Sequence, residues 1–380
     1  MQINSKLPKV GTTIFTTMSA LAREHNAINL SQGFPDFDCH PKLRELANHY
    51  IQHGFNQYAP MTGTQALRER IAEILSTCYN ANYHPETEIT VTAGATQAIY
   101  TTIAAFVHAG DEVIVFEPAY DCYVPAIEVH GGIPITCQLQ YPDFSINWQE
   151  VKSKINSKTK AILINTPHNP SGTTLSELDL LQLEQLVAGT NILVISDEVY
   201  EHMVFDQQIH QSAARFKRLA AQTILVSSFG KTVHTTGWKI GYVAAPKELM
   251  TEFRKVHQFL VFVVNHPLQL ALADYLKDSA NYLELKDFYQ KKRDLFLSLT
   301  KSSRFTPLKT SGTYFQLMSY SSISDMSDTD LAIQLTKENK LATIPLSVFY
   351  KDQTDHRLLR FCFAKKDETL AKAAEIICRL

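Results

Sequence analysis

The chain has 380 residues, 45% hydrophobic and 19% charged, with a formal charge of −2. The near-balanced charge, without long runs of one sign, argues against nucleic-acid or membrane-surface binding, and the length suits a large domain and a smaller one. Six scattered cysteines (Cys39, Cys78, Cys122, Cys137, Cys362 and Cys378) form no CxxC pair, so no disulfide framework or metal site is expected, and a reducing cytoplasm is the expected compartment. Met1-Gln2-Ile3-Asn4-Ser5-Lys6 has no signal-peptide core, and no apolar run reaches membrane-spanning length.

Residues 1 to about 40 read as irregular, with one helix around Ile14 to His25. Ser31-Gln32-Gly33-Phe34-Pro35 is turn chemistry beside an aromatic anchor. The loop Asn56-Gln57-Tyr58-Ala59-Pro60 precedes a helix over Gln65 to Thr77. From about residue 85, short apolar runs alternate with helical pieces. The expected strands are Ile89 to Thr92, Glu112 to Phe116, Ile133 to Leu139, Ala161 to Asn165, Ile192 to Ser196, Thr223 to Ser227 and Ile240 to Ala244. Such alternation predicts an α/β fold with a mostly parallel seven-stranded sheet between helices. After helices through Thr300, the pieces Gly312 to Leu317, Ala342 to Pro345 and Leu358 to Phe363 predict a smaller α+β domain. The expected organisation is a segment 1–40 packing with the small domain, a large domain 41–275 and a small domain 276–380.

The distinctive polar residues fall at strand ends, where ligands of parallel sheets gather. Thr92-Ala93-Gly94-Ala95-Thr96-Gln97 joins a strand to a helix, and small residues with free N–H groups there suit a phosphate, although they also make ordinary tight turns. Asn165-Thr166-Pro167-His168-Asn169-Pro170-Ser171-Gly172 is a shaped loop, with Asn165 read as a holder of it. Asp197 and Tyr200 follow the strand ending at Ser196, and Glu198 stands beside Asp197 as a second acid there. In Ser227 to Tyr242, Lys231 has Ser228 three residues before it and Lys239 eight residues after it. Most lysines are solvated surface groups. Here an amine, a hydroxyl and a second cation match what pyridoxal 5′-phosphate requires: Lys231 for the aldehyde, Ser228 and Lys239 for the phosphate. A carboxylate at Asp197 suits the ring nitrogen of the same cofactor. Arg360, on the apolar piece Arg360-Phe361-Cys362-Phe363, is costly to bury without an anion. Either a structural salt bridge or a substrate carboxylate answers that need.

The Ser227-to-Tyr242 stretch resembles the cofactor-lysine signature of the class I/II aminotransferases, fold type I of the pyridoxal phosphate enzymes. The resemblance runs from Ser31-Gln32-Gly33-Phe34-Pro35 to Arg360-Phe361-Cys362-Phe363, nearly the whole chain. It implies that Lys231 carries the cofactor and moves the proton, with Asp197 and Tyr200 assisting. It implies cofactor contacts from Ala95, Thr96, Tyr120, Asn169, Ser228 and Lys239, and from Tyr58 reaching into the neighbouring subunit of a homodimer with shared active sites. Gly33, Asn169 and Arg360 are then expected at the substrate carboxylate, with Phe34 a candidate for the side-chain pocket. No metal is implied.

Within the family, Gln57-Tyr58-Ala59-Pro60-Met61-Thr62-Gly63, Asn165 to Pro170 and Lys255-Val256-His257-Gln258 are similar to the kynurenine/glutamine-type subgroup and to bacterial methionine aminotransferases. That implies ping-pong transfer of the amino group of methionine, and of aromatic amino acids, histidine or glutamine, to a 2-oxo acid. Dicarboxylate-specific members carry an arginine shortly before the residue matching Asn265. Phe259-Leu260-Val261-Phe262-Val263-Val264 is apolar throughout, which favours an apolar or sulfur-containing side chain over a buried unpaired carboxylate. The alternatives are a kynurenine–oxoglutarate transaminase or a carbon–sulfur β-lyase acting on cysteine conjugates or cystathionine. A regulator on the same fold would need a DNA-binding domain, for which the roughly thirty residues before Ser31 are too few against domains of about 50 residues or more.

Overall fold

The computed structural model describes residues 3–380. Thirteen strands form three sheets among these residues. A short strand, β1 (Ile28–Asn29), comes first. Seven strands then build the central sheet: β2 (Ile89–Thr92), β3 (Glu112–Glu117), β4 (Ile133–Gln138), β5 (Thr159–Asn165), β6 (Leu193–Asp197), β7 (Thr223–Ser228) and β8 (Gly241–Ala244). Their order is β2-β8-β7-β6-β5-β3-β4, and only β8 runs against the others. The sheet is therefore mostly parallel, as the alternation of apolar runs and helices predicts.

Both faces of this sheet are covered, which is why its strands are apolar without a polar alternation. In β3, Val113 and Val115 pack on one side with Ile99 and Ile103 of the helix Gly94–Phe106. Ile114 and Phe116 point the other way, into a core shared with Phe315, Leu317, Leu359 and Phe361 of the C-terminal part. Successive residues of a strand alternate in direction, so one run serves two cores.

The C-terminal strands are β9 (Thr306–Pro307), β10 (Phe315–Ser319), β11 (Leu341–Ala342), β12 (Ile344–Pro345) and β13 (Leu358–Cys362). Four of them form an antiparallel sheet of order β12-β13-β10-β9. Arg360 sits in the interior strand β13, opposite Leu317 on one side and Ile344 on the other. The N-terminal segment joins this part: β1 pairs with β11, and the Cys362 amide donates to Leu30 O at 2.8 Å.

Element ends differ from the sequence expectation in two places that matter. The helix that Thr92 to Gln97 is expected to lead into begins at Gly94, inside that stretch, so Ala95 and Thr96 lie in its first turn. The strand expected from Gly312 begins at Phe315, because Thr313 adopts a left-handed φ of 68° and turns the chain before it. A helix over Pro41–Gln52 was also missed; His40 caps it and Leu43 and Ala47 bury its inner face. No helix among the described residues is long and apolar enough to cross a membrane.

Candidate active site

Because β2, β3, β5, β6 and β7 are parallel, their carboxyl ends meet along one edge. The helix starts and loops leaving that edge carry Ala95 and Thr96, Tyr120, Asn169, Tyr200 and Lys231, with Asp197 and Ser228 as the last residues of β6 and β7. The antiparallel β8 starts at the same edge, which brings in Lys239. A cavity of about 310 Å³ opens there, and all nine of these residues line it together with Gly33 and Arg360. Residues spread over more than 300 positions thus converge through strand direction.

Asp197 forms the buried floor. Tyr123 Oη donates to its Oδ2 at 2.5 Å and the Val199 amide to its Oδ1 at 3.3 Å. Burial nevertheless dominates, and pushes the Asp197 carboxyl up to about 6. A cation brought against it reverses that shift. Glu198, next in sequence, is fully buried elsewhere, held by Ser196, His210 and the Ala213 amide.

Lys231 Nζ donates to Tyr314 Oη at 2.8 Å and to Gly33 O at 3.3 Å. Burial, first of all, pushes its amine down to about 8, with Lys239 and Arg360 adding repulsion. A fraction of the amine is therefore neutral near pH 7, as a nucleophile requires. Asn165 holds the neighbouring loop: its Oδ1 accepts the Asn169 amide at 2.9 Å, and its Nδ2 donates to Asp197 O at 2.9 Å.

Arg360 is 1% exposed and, among the described residues, has no carboxylate within salt-bridge distance. Its Nη1 donates to Asn169 Oδ1 at 2.7 Å and its Nη2 to Ser31 O at 3.1 Å, while Nε has no partner. The guanidinium lies 3.9 Å from the centroid of the Phe315 ring. The Ser31 carbonyl is aimed by a turn in which Asn29 Oδ1 accepts from the Ser31 and Gln32 amides. Gly33 lacks a side chain for a reason visible here: a Cβ would lie 2.8 Å from Phe315 Cζ.

At the start of the helix Gly94–Phe106, Gln97 Oε1 accepts the Ala93 amide at 2.8 Å, while Ala93 has no side-chain acceptor for the first-turn amides, and Gly94, Ala95 and Thr96 border the cavity. Lys239, itself left-handed at φ 53°, packs so closely on Gly94 that a Cβ there would meet its Nζ at 3.3 Å. Ser228 adds a hydroxyl that caps nothing. Uncapped amides, a hydroxyl and an ammonium around one corner fit a phosphate dianion. With an amine and a buried carboxylate across the cavity, the donor set fits pyridoxal phosphate.

Two expected residues lie apart from the cavity within one chain. Tyr58 is 79% exposed and touches Phe262. Phe34 is half-exposed, its ring under Lys365 Nζ at 5.1 Å. Conversely, Tyr314, Tyr123, Phe315 and Phe15 were missed. Their aromatic rings look like core residues in a sequence, and only the Tyr314 and Tyr123 hydroxyls, which must find partners when buried, offered a signal.

Comparison with known proteins agrees with this geometry. The family model "Aminotransferase class I and II" matches residues 25–377. The chain is 52% identical to the methionine aminotransferase of Escherichia coli over 377 residues, covering 99% of this chain and 98% of the relative. It is 34% identical to the kynurenine–oxoglutarate transaminase of Dictyostelium discoideum, covering 97% and 94%. A crystal structure of an Escherichia coli protein with an identified methionine aminotransferase function superimposes with a TM-score of 0.98 at 51% identity over the whole of both chains. A cavity built for an amine-bound cofactor, in a chain matched along nearly its whole length, makes this protein a pyridoxal-phosphate-dependent aminotransferase of class I and II.

Proposed function

We propose that this enzyme transfers the amino group of methionine, and less selectively of aromatic amino acids, histidine or glutamine, to a 2-oxo acid in two half-reactions. The observation that carries the reading is Arg360, a buried guanidinium left without an acid at the wall of the cavity that holds Lys231. A substrate α-carboxylate completes its coordination. The apolar run at 259–264 and the 52% identity to a methionine aminotransferase support an uncharged donor side chain.

In this reading the amides of Ala95 and Thr96, with Ser228 and Lys239, would hold the phosphate of the cofactor. Asp197 would pair with its ring nitrogen, Tyr120 would pack on the ring, and Tyr200 and Asn169 would donate to its phenolic oxygen. The bound cofactor supplies an electron sink for the pair left when a proton departs from Cα. Arg360, Asn169 and the Gly33 backbone orient the substrate carboxylate. Lys231 Nζ takes the proton from Cα and later returns it, as a general base and acid whose pKa near 8 suits neutral conditions. The half-reaction rate should therefore rise with pH as this amine loses its proton, which single-turnover rates across neutral pH check.

We also propose a homodimer in which Tyr58 reaches the partner's phosphate site. The exposure of Tyr58 beside Phe259, Leu260 and Phe262 supports a surface covered by a second copy. Six unpaired cysteines support a cytoplasmic location.

The test is a single-turnover titration of the holoenzyme with methionine. Conversion of the bound cofactor to its amine form, with release of 4-methylthio-2-oxobutanoate and reversal by a 2-oxo acid, is expected. Pyruvate release from cystathionine without an acceptor would move the enzyme to the β-lyase reading. A faster turnover with kynurenine than with methionine would move it to the kynurenine reading.

A further inference from the structure

Several side chains converge on the carbonyls of one short segment beside the cavity. Arg360 Nη2 donates to Ser31 O at 3.1 Å, and Lys365 Nζ donates to Phe34 O at 2.8 Å. Between them, Gly33 O accepts from Lys231 Nζ at 3.3 Å and from Tyr314 Oη. Tyr314 Oη also accepts from Lys231 Nζ at 2.8 Å, closing a three-membered ring of contacts. Tyr314 is 1% exposed and wedged edge-on against Tyr200, with centroids 5.1 Å apart at 86°. Its hydroxyl has little freedom to move.

A phenol has one hydrogen and a carbonyl has none. With its hydrogen directed to Gly33 O, Tyr314 meets Lys231 Nζ only as an acceptor. The amine then points one N–H at Tyr314 Oη and one at Gly33 O in either protonation state. A neutral amine has a lone pair in its remaining direction; an ammonium has a third N–H there. Only that direction, the one facing the cavity, changes when the proton comes or goes.

We propose that Tyr314 is a positioning residue for Lys231, holding the amine with Gly33 O so that its lone pair, or the proton that replaces it, faces the cavity. This rests on the reading of Lys231 as the group that moves the substrate proton. When Nζ takes that proton, its lone pair forms the new N–H bond and the C–H electron pair stays on the carbon side. The positive charge arises where Tyr314 Oη and Gly33 O already accept from it. Returning the proton restores the lone pair and leaves both contacts in place. Tyr314 thereby orients the proton transfer without touching substrate. Burial, which brings the Lys231 amine down to about 8, keeps both forms accessible near neutral pH.

The test compares Tyr314→Phe with Tyr289→Phe. Tyr289 is equally buried, its ring 5.6 Å from that of Tyr314, and its hydroxyl has no partner. The first readout is the pH dependence of pyridoxal phosphate capture by the apoprotein, followed by absorbance, since capture needs the neutral amine. Tyr314→Phe removes an acceptor that favours the charged amine, so its midpoint should fall by about half to one pH unit, while Tyr289→Phe stays at the wild-type value. The second readout is the single turnover of the holoenzyme with methionine. Its rate should fall about 10- to 100-fold, with methionine affinity changed less than about threefold. A Tyr314→Phe midpoint coinciding with wild type, or a rate loss accounted for by weaker binding, overturns the proposal. Lys231→Ala separates the two ideas: if that variant still transaminates, the underlying reading of Lys231 fails. If it is inert while Tyr314→Phe behaves as wild type, only the role of Tyr314 fails.

Discussion

Two buried arginines in this molecule have opposite surroundings. Arg293 is 7% exposed and makes a paired contact with Asp206 at 2.7 and 2.6 Å, a further ion pair with Asp294 and a hydrogen bond to Thr310 O. Its acids raise its pKa despite burial. Arg360 is more deeply buried, has only neutral oxygens for partners, and burial lowers its pKa. The first arginine is neutralised from within the fold and the second is not. An uncompensated charge in a protein interior is expensive, so its persistence at a cavity wall points to a ligand. Asp197 is the matching case of opposite sign: buried, hydrogen-bonded and, among the described residues, without a cation within salt-bridge distance.

The sharpest way to break this comparison is to remove each arginine in turn. Arg360→Met should lower kcat/KM for methionine by about 10³-fold, roughly 4 kcal/mol, through loss of a charge-assisted paired contact. Its melting temperature should stay level or rise, because a desolvated cation is gone. Steady-state kinetics and calorimetry on one preparation decide the matter, and a variant that unfolds while the surviving fraction stays active would reverse the assignment. Arg293→Met should do the opposite, costing about 1–3 kcal/mol of stability through its lost charge-assisted hydrogen bonds, since the half-exposed Asp206 and Asp294 regain water, with per-molecule activity near wild type. Chemical denaturation measures that.

The two aspartates sharpen the comparison through pH. The Asp197 carboxyl is raised from 3.8 to about 6 in the fold, so the native apoprotein binds this proton more tightly than the unfolded chain. Between those values its contribution therefore falls as pH rises, by about 3 kcal/mol at most. Asp206, held low by Arg293, contributes in the other sense: its stabilisation is present above the unfolded pKa and is lost as pH falls through the folded one. Apo Asp197→Asn should lose the declining limb between about pH 4 and 6; denaturation curves that keep the wild-type slope would count against the buried, unpaired carboxylate. The smallest effect expected is at Phe315. Replacing the ring under Arg360 with Phe315→Leu should weaken methionine binding about fivefold, by about 1 kcal/mol, with kcat little altered. An unchanged KM would make the stacking incidental.

Much of this was legible in the chain itself. The seven central strands were found within one or two residues at most of their ends because each is a short apolar run closed by turn residues. Asp197, Ser228 and Lys231 could be singled out because their spacing after strand ends resembles that of the aminotransferase family; a lone polar group at a strand end is otherwise a common solvated loop start. Boundaries failed where backbone conformation overrode pattern, as at Thr313, whose left-handed φ no propensity announces. Tyr123 and Tyr314 escaped notice because a buried tyrosine and a phenylalanine satisfy the same apolar pattern. Their hydroxyls gain meaning only from partners 74 and 83 residues away.

Taken alone, the sequence determined what is local: the order of strands and helices, the apolar faces, and which side chains carry charge to which strand ends. Those follow from periodicity and turn chemistry acting over a few residues. Tertiary structure alone decided the order β2-β8-β7-β6-β5-β3-β4, and with it the single edge where the candidate site residues meet. It also decided which of two buried arginines finds an acid. Charge compensation is a matter of neighbours in space, and Asp206 lies 87 residues from Arg293, whereas Arg360, on the interior strand of its sheet, meets only carbonyl and amide oxygens.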